Sequence, residues 1–174
     1  MIEIDEVVQK TKDHITTHGW AVTGVFGDEA WASFSYSTGL TNFSHPELVV
    51  TGLPVNLAGI VINLVGERIR SGAVFTAGDQ VNEVFDDDYP AAFITARTRD
   101  TERPLALSNL IYPRCSALQI VWPDSLERFP WEPGYETPSD VQPLLGMALA
   151  GPPQPTQQEN DRHECTNPEQ RNDR

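Results

Sequence analysis

The sequence predicts an α+β domain, a mostly antiparallel sheet packed with two or three helices. Three observations lead there. Short runs of β-type residues follow one another across turn-forming residues, as the strands of hairpins do. Two longer stretches, near the N-terminus and over residues 55–70, carry apolar residues at helical spacing. These helices stand apart from the hairpins, an arrangement that suits an antiparallel sheet with separate helices.

In chain order, Ile4, Val7, Val8, Thr11 and Ile15 recur at helical spacing and predict a helix over about residues 4–17. Glu3, Asp5 and Glu6 suit its first turn, where the helix dipole favours negative charge. Gly19 is its expected stop. Strands are predicted over 20–26 and 31–38, joined through Gly27-Asp28-Glu29 as a hairpin. Residues 47–53 read as a buried strand. Pro54 then opens a helix over 55–70, with Leu57, Ile60, Val61, Leu64, Val65 and Ile69 as its apolar stripe and Ser71-Gly72 as its end. Short strands are expected near 73–76, 82–85 and 91–98, with Asp86-Asp87-Asp88 in a loop. A short helix is expected over 105–111, a last strand over 117–122, and a closing helix over 141–150.

The length of 174 residues suits one domain with a core of its own, expected over 1–150. From Gly151 onward no aliphatic residue appears, and such a segment cannot bury enough apolar surface to offset the entropy of ordering it. Residues 151–174 are therefore expected to be a disordered tail. No apolar run is long enough to span a membrane, and the acidic N-terminus lacks the pattern of a signal peptide. Two cysteines, Cys115 and Cys165, make no disulfide framework, which fits a cytoplasmic location.

The formal net charge is −13; residues 151–174 hold five acids and three bases, so the preceding residues keep −11 of it. That balance disfavours nonspecific nucleic-acid binding, which rests on Lys and Arg neutralising phosphates, and disfavours an anionic membrane surface. It suits a basic protein partner, because complementary fields speed and select encounters. The plainer reading is that acidity keeps the chain soluble.

The chemistry-bearing residues gather in 30–53. Two apolar β-type runs flank a polar connection that ends in His45-Pro46-Glu47. Pro46 holds His45 extended, and in an extended chain residues two apart project the same way. His45 and Glu47 are thus candidate acid–base partners, or two ligands of a metal, with Tyr36 and Thr38 closing the preceding strand. The structural alternative is that His45 caps a turn and Glu47 pairs with an arginine. Further on, Trp122-Pro123-Asp124 and Phe129-Pro130-Trp131 place rigid aromatics and a carboxylate just after a strand. Trp122 and Asp124 are candidate ligand-binding residues, although Asp124 also suits a turn cap.

The same stretches carry a resemblance. Gly19-Trp20, Tyr36-Ser37-Thr38-Gly39-Leu40, His45-Pro46-Glu47-Leu48, Gln119-Ile120-Val121-Trp122-Pro123-Asp124 and Phe129-Pro130-Trp131 occur in that order. The chain resembles the bacterial domain-of-unknown-function family numbered 4262 over about residues 14–145. Ser37 stands where threonine is expected more often, leaving the hydroxyl in place. The resemblance implies a single soluble domain and no established activity.

Other groups are weaker candidates. His14 and His18 share a helix face but lack the glutamate of the metalloprotease motif and a third ligand, so no metal site is expected. Arg114 beside Cys115 could lower a thiolate pKa, whereas a lone cysteine is usually a small core residue. No phosphate-binding loop, dinucleotide glycine motif or nucleophile-elbow serine occurs, and no cofactor is named by the sequence. Two function classes follow. In one, Tyr36, Thr38, His45, Glu47, Trp122 and Asp124 line a pocket for a small polar molecule, with hydrolase-like chemistry. In the other, the acidic surface binds a basic protein, as an inhibitor or immunity protein does. A concave pocket holding all six residues would support the first; a flat acidic face with His45 satisfied by backbone would support the second.

Overall fold

A computed structural model describes residues 3–82, 84–85, 89–97 and 103–146. Their elements are α1 (Ile4–His18), β1 (Ala21–Val25), β2 (Phe34–Thr38), a 3-10 turn (Leu40–Phe43), β3 (Glu47–Thr51), α2 (Val55–Arg70), β4 (Gln80–Val81), β5 (Ala91–Ala96), α3 (Ala106–Ile111) and β6 (Ala117–Val121). The sheet has six strands in the order β1-β2-β3-β6-β5-β4. Every neighbouring pair is antiparallel except β3 and β6, which run parallel with Glu47 opposite Ala117. The α+β class holds, with three helices among the described residues.

The sheet is covered on both faces, as the all-buried patterns of β2, β3 and β6 require. On one side Leu48, Val50, Phe93, Leu118 and Ile120 pack against Ala58, Val61, Ile62, Val65 and Ile69 of α2. On the other, Phe34, Tyr36 and Val49 meet Leu105, Leu107 and Leu145, with Val7 and Val8 of α1 alongside. Beside these, Ile94 and Val121 pack with Phe129. Alternation along each strand sends successive residues to the two layers, so both faces being apolar makes the strands read as continuous runs.

Several sequence expectations need correction. The α2 span is as predicted, but its buried stripe is rotated: Leu57, Ile60 and Leu64 are exposed, and Ala58 and Ile62 are buried in their place. Residues 73–76 form no strand. The Phe75 N–H is taken by a side chain, His45 Nε2 at 3.1 Å, and the Thr76 N–H by Asp79 Oδ2 at 2.7 Å. The strand expected over 82–85 is instead the two-residue β4 just before it, paired with Ala91 and Ala92. Residues 141–146 are not helical, for Pro143 interrupts them and the side chain of Gln119 holds Pro143 and Leu145 against the sheet. The Asp86–Asp88 run, the rest of the expected closing helix and the tail with Cys165 lie outside the described residues.

Candidate functional site

Glu47 begins β3 and is fully buried. Its carboxylate accepts five hydrogen bonds, one from Ser37 in β2 and four from residues 39–41 just after it. Oε2 takes the Ser37 hydroxyl at 2.5 Å and the Leu40 N–H at 3.3 Å. Oε1 takes the Gly39 N–H at 2.9 Å, the Thr41 N–H at 3.1 Å and the Thr41 hydroxyl at 2.8 Å. The first N–H groups of the 3-10 turn have no partner within it, and the carboxylate supplies one. Gly39 is required here: its φ is +121°, and a Cβ would stand 2.8 Å from the Gly19 carbonyl oxygen. The Ser37 hydroxyl also accepts the Leu48 N–H at 2.8 Å, so it links the carboxylate to β3 itself.

His45 is also buried, 4% exposed, and is held by separate groups. Nδ1 lies 2.8 Å from the Pro46 carbonyl oxygen, and Nε2 accepts the Phe75 N–H. Since a carbonyl only accepts, Nδ1 carries the proton and Nε2 the lone pair, which fixes the neutral ring in one tautomer. The ring stands edge-on to Phe75, 6.1 Å between centroids. The expected acid–base pair is thus two residues engaged separately, Glu47 with the 37–41 segment and His45 with the chain around Phe75.

Tyr36 and Thr38 lie beneath α3. The Tyr36 hydroxyl accepts the Leu107 N–H at 3.4 Å, and burial pushes its pKa above the ordinary 10.0, against the opposing effect of the bonds from Leu107 and Thr23. The Thr38 hydroxyl shares a 2.6 Å hydrogen bond with the Ser108 hydroxyl, which lies 2.8 Å from the Ser37 carbonyl oxygen.

Trp122 and Asp124 lie elsewhere. Because β3 and β6 are parallel with Glu47 opposite Ala117, residues 122–124 sit at the opposite end of the sheet from Glu47, about 15 Å away along the strands. The Trp122 indole N–H donates to the Thr51 carbonyl at 2.9 Å, at the far end of β3. The Gln142 amide clasps the Trp122 main chain from both sides, accepting its N–H at 2.9 Å and donating to its carbonyl at 2.8 Å. Asp124, 3% exposed, accepts the N–H groups of Leu126, Arg128 and Glu136 at 2.9, 3.0 and 3.1 Å and the Arg128 Nε–H at 3.0 Å. Burial alone would raise its pKa, but those N–H groups and the Arg128 guanidinium outweigh it and hold the carboxyl at about 2. The six expected site residues therefore divide between two ends of the sheet, each engaged within the fold.

None of the six lines the open grooves on the surface. One groove runs between α1 and β1, lined by Val7, Lys10, Thr11, His14 and Ala21 to Thr23; a second is lined by Glu67, Arg68, Ser71, Ala73 and Phe75, the last being His45's partner; a third is lined by Phe26, Gly27, Ser33 and Pro54 to Asn56. Among the described residues no three histidine, cysteine or acidic side chains meet as metal ligands. His14 and His18 lie with their rings tilted by 40°, 4.3 Å between centroids, on the exposed face of α1. Cys115 is the reverse of an activated thiol: burial first, and then the charge of Glu47, push its pKa up to about 11. Among the described residues no helix is long and apolar enough to cross a membrane.

A family model described as a domain of unknown function, DUF4262, matches residues 14–136. The chain belongs to that family. Neither a curated protein nor a solved structure matches it. The DUF4262 span contains both carboxylate networks and ends at Glu136, whose main-chain N–H closes the one around Asp124.

Sequence reading passed over Thr41, Ser108 and Gln119. Gln119 is fully buried in β6, donating to Thr51 Oγ1 at 2.9 Å and to the Pro143 carbonyl at 2.8 Å and accepting the Leu145 N–H at 2.7 Å. Its signal was available, since an amide inside an apolar strand run needs buried partners.

Proposed function

We propose that this DUF4262 domain is an interaction protein that engages a basic protein through its acidic surface. One observation carries the reading. The groups best suited to acid–base chemistry, His45 and Glu47, have their ring nitrogens and carboxylate oxygens engaged inside the fold. The exposed acids project their charge outward, Glu132 while also accepting the Phe129 N–H at 2.6 Å and Glu136 while standing 3.4 Å from Arg128. They are dense in the segment after β6: Glu127, Glu132, Glu136 and Asp140 are exposed there, with Arg128 the single base between Asp124 and Asp140. That segment has no regular secondary structure, yet it is held in shape by the Asp124 network and by Phe129 stacked on Trp131 at 5.1 Å. A rigid acidic loop suits recognition, because charge held in place selects a partner and speeds encounter without first being ordered. A cytoplasmic location belongs to this reading, supported by the unpaired thiol of Cys115.

The test is kinetic, with a panel of folded basic proteins and oligolysine as probes at low and at physiological ionic strength. Association with a folded basic protein should be fast at low salt and slow by about ten-fold or more as screening sets in. Glu127→Lys with Asp140→Lys, at two exposed acids, should reduce the on-rate and leave the melting temperature unchanged. Binding to oligolysine alone, or an on-rate indifferent to both salt and the charge reversals, overturns the reading.

A further inference from the structure

We propose that β1 is a self-association edge, and that two copies of this chain pair through it into a two-fold dimer. This is independent of the acidic-loop reading and concerns the opposite side of the sheet. Among the described residues β1 has one hydrogen-bonded neighbour, β2. Edge strands of stable monomers are usually blunted by lysine, proline or a very short length. The other edge follows that rule, since β4 is only two residues long. β1 does not: its five residues are Ala-Val-Thr-Gly-Val, without a charge or a proline, and Phe26 directly after them is 83% exposed.

Charge selects a second copy over other occupants. A chain of net charge −13 repels itself almost anywhere on its surface, so copies can meet only where charge is absent or complementary. The β1 side offers both. Along it runs the open groove, walled by Val7, Lys10, Thr11 and His14 of α1. Ile4, one turn further along the same stripe, is 61% exposed. α1 turns back into β1 through only Gly19 and Trp20, and so lies antiparallel beside it. On the side of α1 that lines the groove the charge changes sign along the helix: Glu3 and Glu6 stand at the start, and Lys10, 2.7 Å from Glu6, and His14 follow, whereas Asp5 and Lys12 fall on the other side by helical spacing.

Antiparallel β1–β1 pairing reverses the second copy. The acidic start of each α1 then faces the basic end of the other, and the two helix dipoles oppose favourably. The same reversal brings Phe26 of the second copy to the Gly19–Trp20 end of β1, where Arg70 stands over the Trp20 ring at 4.4 Å. An isologous contact of this kind closes at two copies, because each unpaired edge is used up by the other.

Sedimentation velocity across a wide concentration range gives the mass, and hydrogen exchange gives the place. A dimer should form as concentration rises, with slower exchange confined to β1 and the facing side of α1. Lys10→Glu, on the groove side of α1, sets like charges against Glu3 and Glu6 of the other copy and should weaken the dimer about ten-fold or more. Adding Glu3→Lys and Glu6→Lys to it restores opposite signs and should recover association, which a merely misfolded variant would not do. Phe26→Lys, at a side chain that touches little in the monomer, should also dissociate it. A chain that is monomeric at every concentration overturns the proposal, as does a dimer indifferent to these changes. So does a monomer whose β1 is protected only by an added extended peptide, since that assigns the edge to a different occupant.

Discussion

Glu47 and Asp124 are both buried carboxylates surrounded by donors, yet they are satisfied in different ways. All five donors to Glu47 are neutral, three main-chain N–H groups and two hydroxyls, and all come from residues 37–41. Asp124 has a cation as well: Arg128 donates from Nε, and its Nη2 stands 2.9 Å from the same oxygen and 3.4 Å from Glu136. Glu47 therefore shapes a turn inside the sheet, where water has no access. Asp124 shapes a surface loop, where Arg128 can find a second carboxylate. The first kind of site tolerates no change of donor or acceptor. The second is buffered by its neighbours.

The sharpest way to break that comparison is to make both side chains neutral amides. Glu47→Gln keeps the shape but turns an NH2 group toward hydroxyl and N–H donors, leaving buried donors unpaired. A loss of about 3 kcal/mol or more is expected, since each buried donor left unpaired costs about 1–3 kcal/mol. Asp124→Asn should lower the urea midpoint by clearly less, because Arg128 retains Glu136 and the loop borders water. Urea unfolding of the two variants beside wild type measures both. Equal losses, or a larger one at Asp124, would erase the distinction; a neutral Glu47→Gln with lost binding of some ligand would return Glu47 to a functional role.

Acid should separate the two carboxylates a second time. The folded Asp124 carboxyl ionises at about 2 against an ordinary 3.8. Its folded pKa is depressed, so its contribution is present above the unfolded value and is lost as protons are taken up between about pH 4 and pH 2. The wild type should lose stability through that window, and Asp124→Asn should show a shallower decline. Chemical denaturation at a series of acid pH values gives the two slopes. Parallel slopes would mean that Asp124 is not the group being titrated.

How much of this could be read from the sequence depends on the range of the contacts. The α2 span was legible because periodicity over sixteen residues is a local signal. The extended setting of His45 was legible too, since Pro46 imposes it on its neighbour. What His45 bonds to was not: the Phe75 N–H lies thirty residues on. The Tyr36–Leu107 and Thr38–Ser108 contacts span about seventy residues and leave no local pattern. The parallel β3–β6 pairing was equally hidden, and it alone sends Trp122 and Asp124 to the far end of the sheet from Glu47. A polar group at a strand start looks the same in sequence whether it faces a ligand or a turn. Its donors decide, and those are set by packing.

The smallest expected effect uses Cys115 as a reporter on one carboxylate and not the other. Its thiol lies 3.5 Å from Asn109 Oδ1, and its pKa is pushed up to about 11 by burial and then by the charge of Glu47. Asp124 is not among the causes. In a chain carrying Cys165→Ser, alkylation at neutral pH should be slow, because the thiolate is the reacting form. The rate should go on rising beyond the ordinary 9.0 without levelling off. Asp124→Asn should leave that profile where it is. Glu47→Gln, studied under conditions where it remains folded, removes the nearby negative charge and should move the profile to lower pH, although not back to 9.0, since burial is the larger cause. A wild-type rate that levels off near pH 9 would mean that Cys115 is solvated and blind to Glu47. An Asp124→Asn shift as large as the Glu47→Gln shift would mean that the two ends of the sheet are electrostatically one site, and the contrast between them would fail.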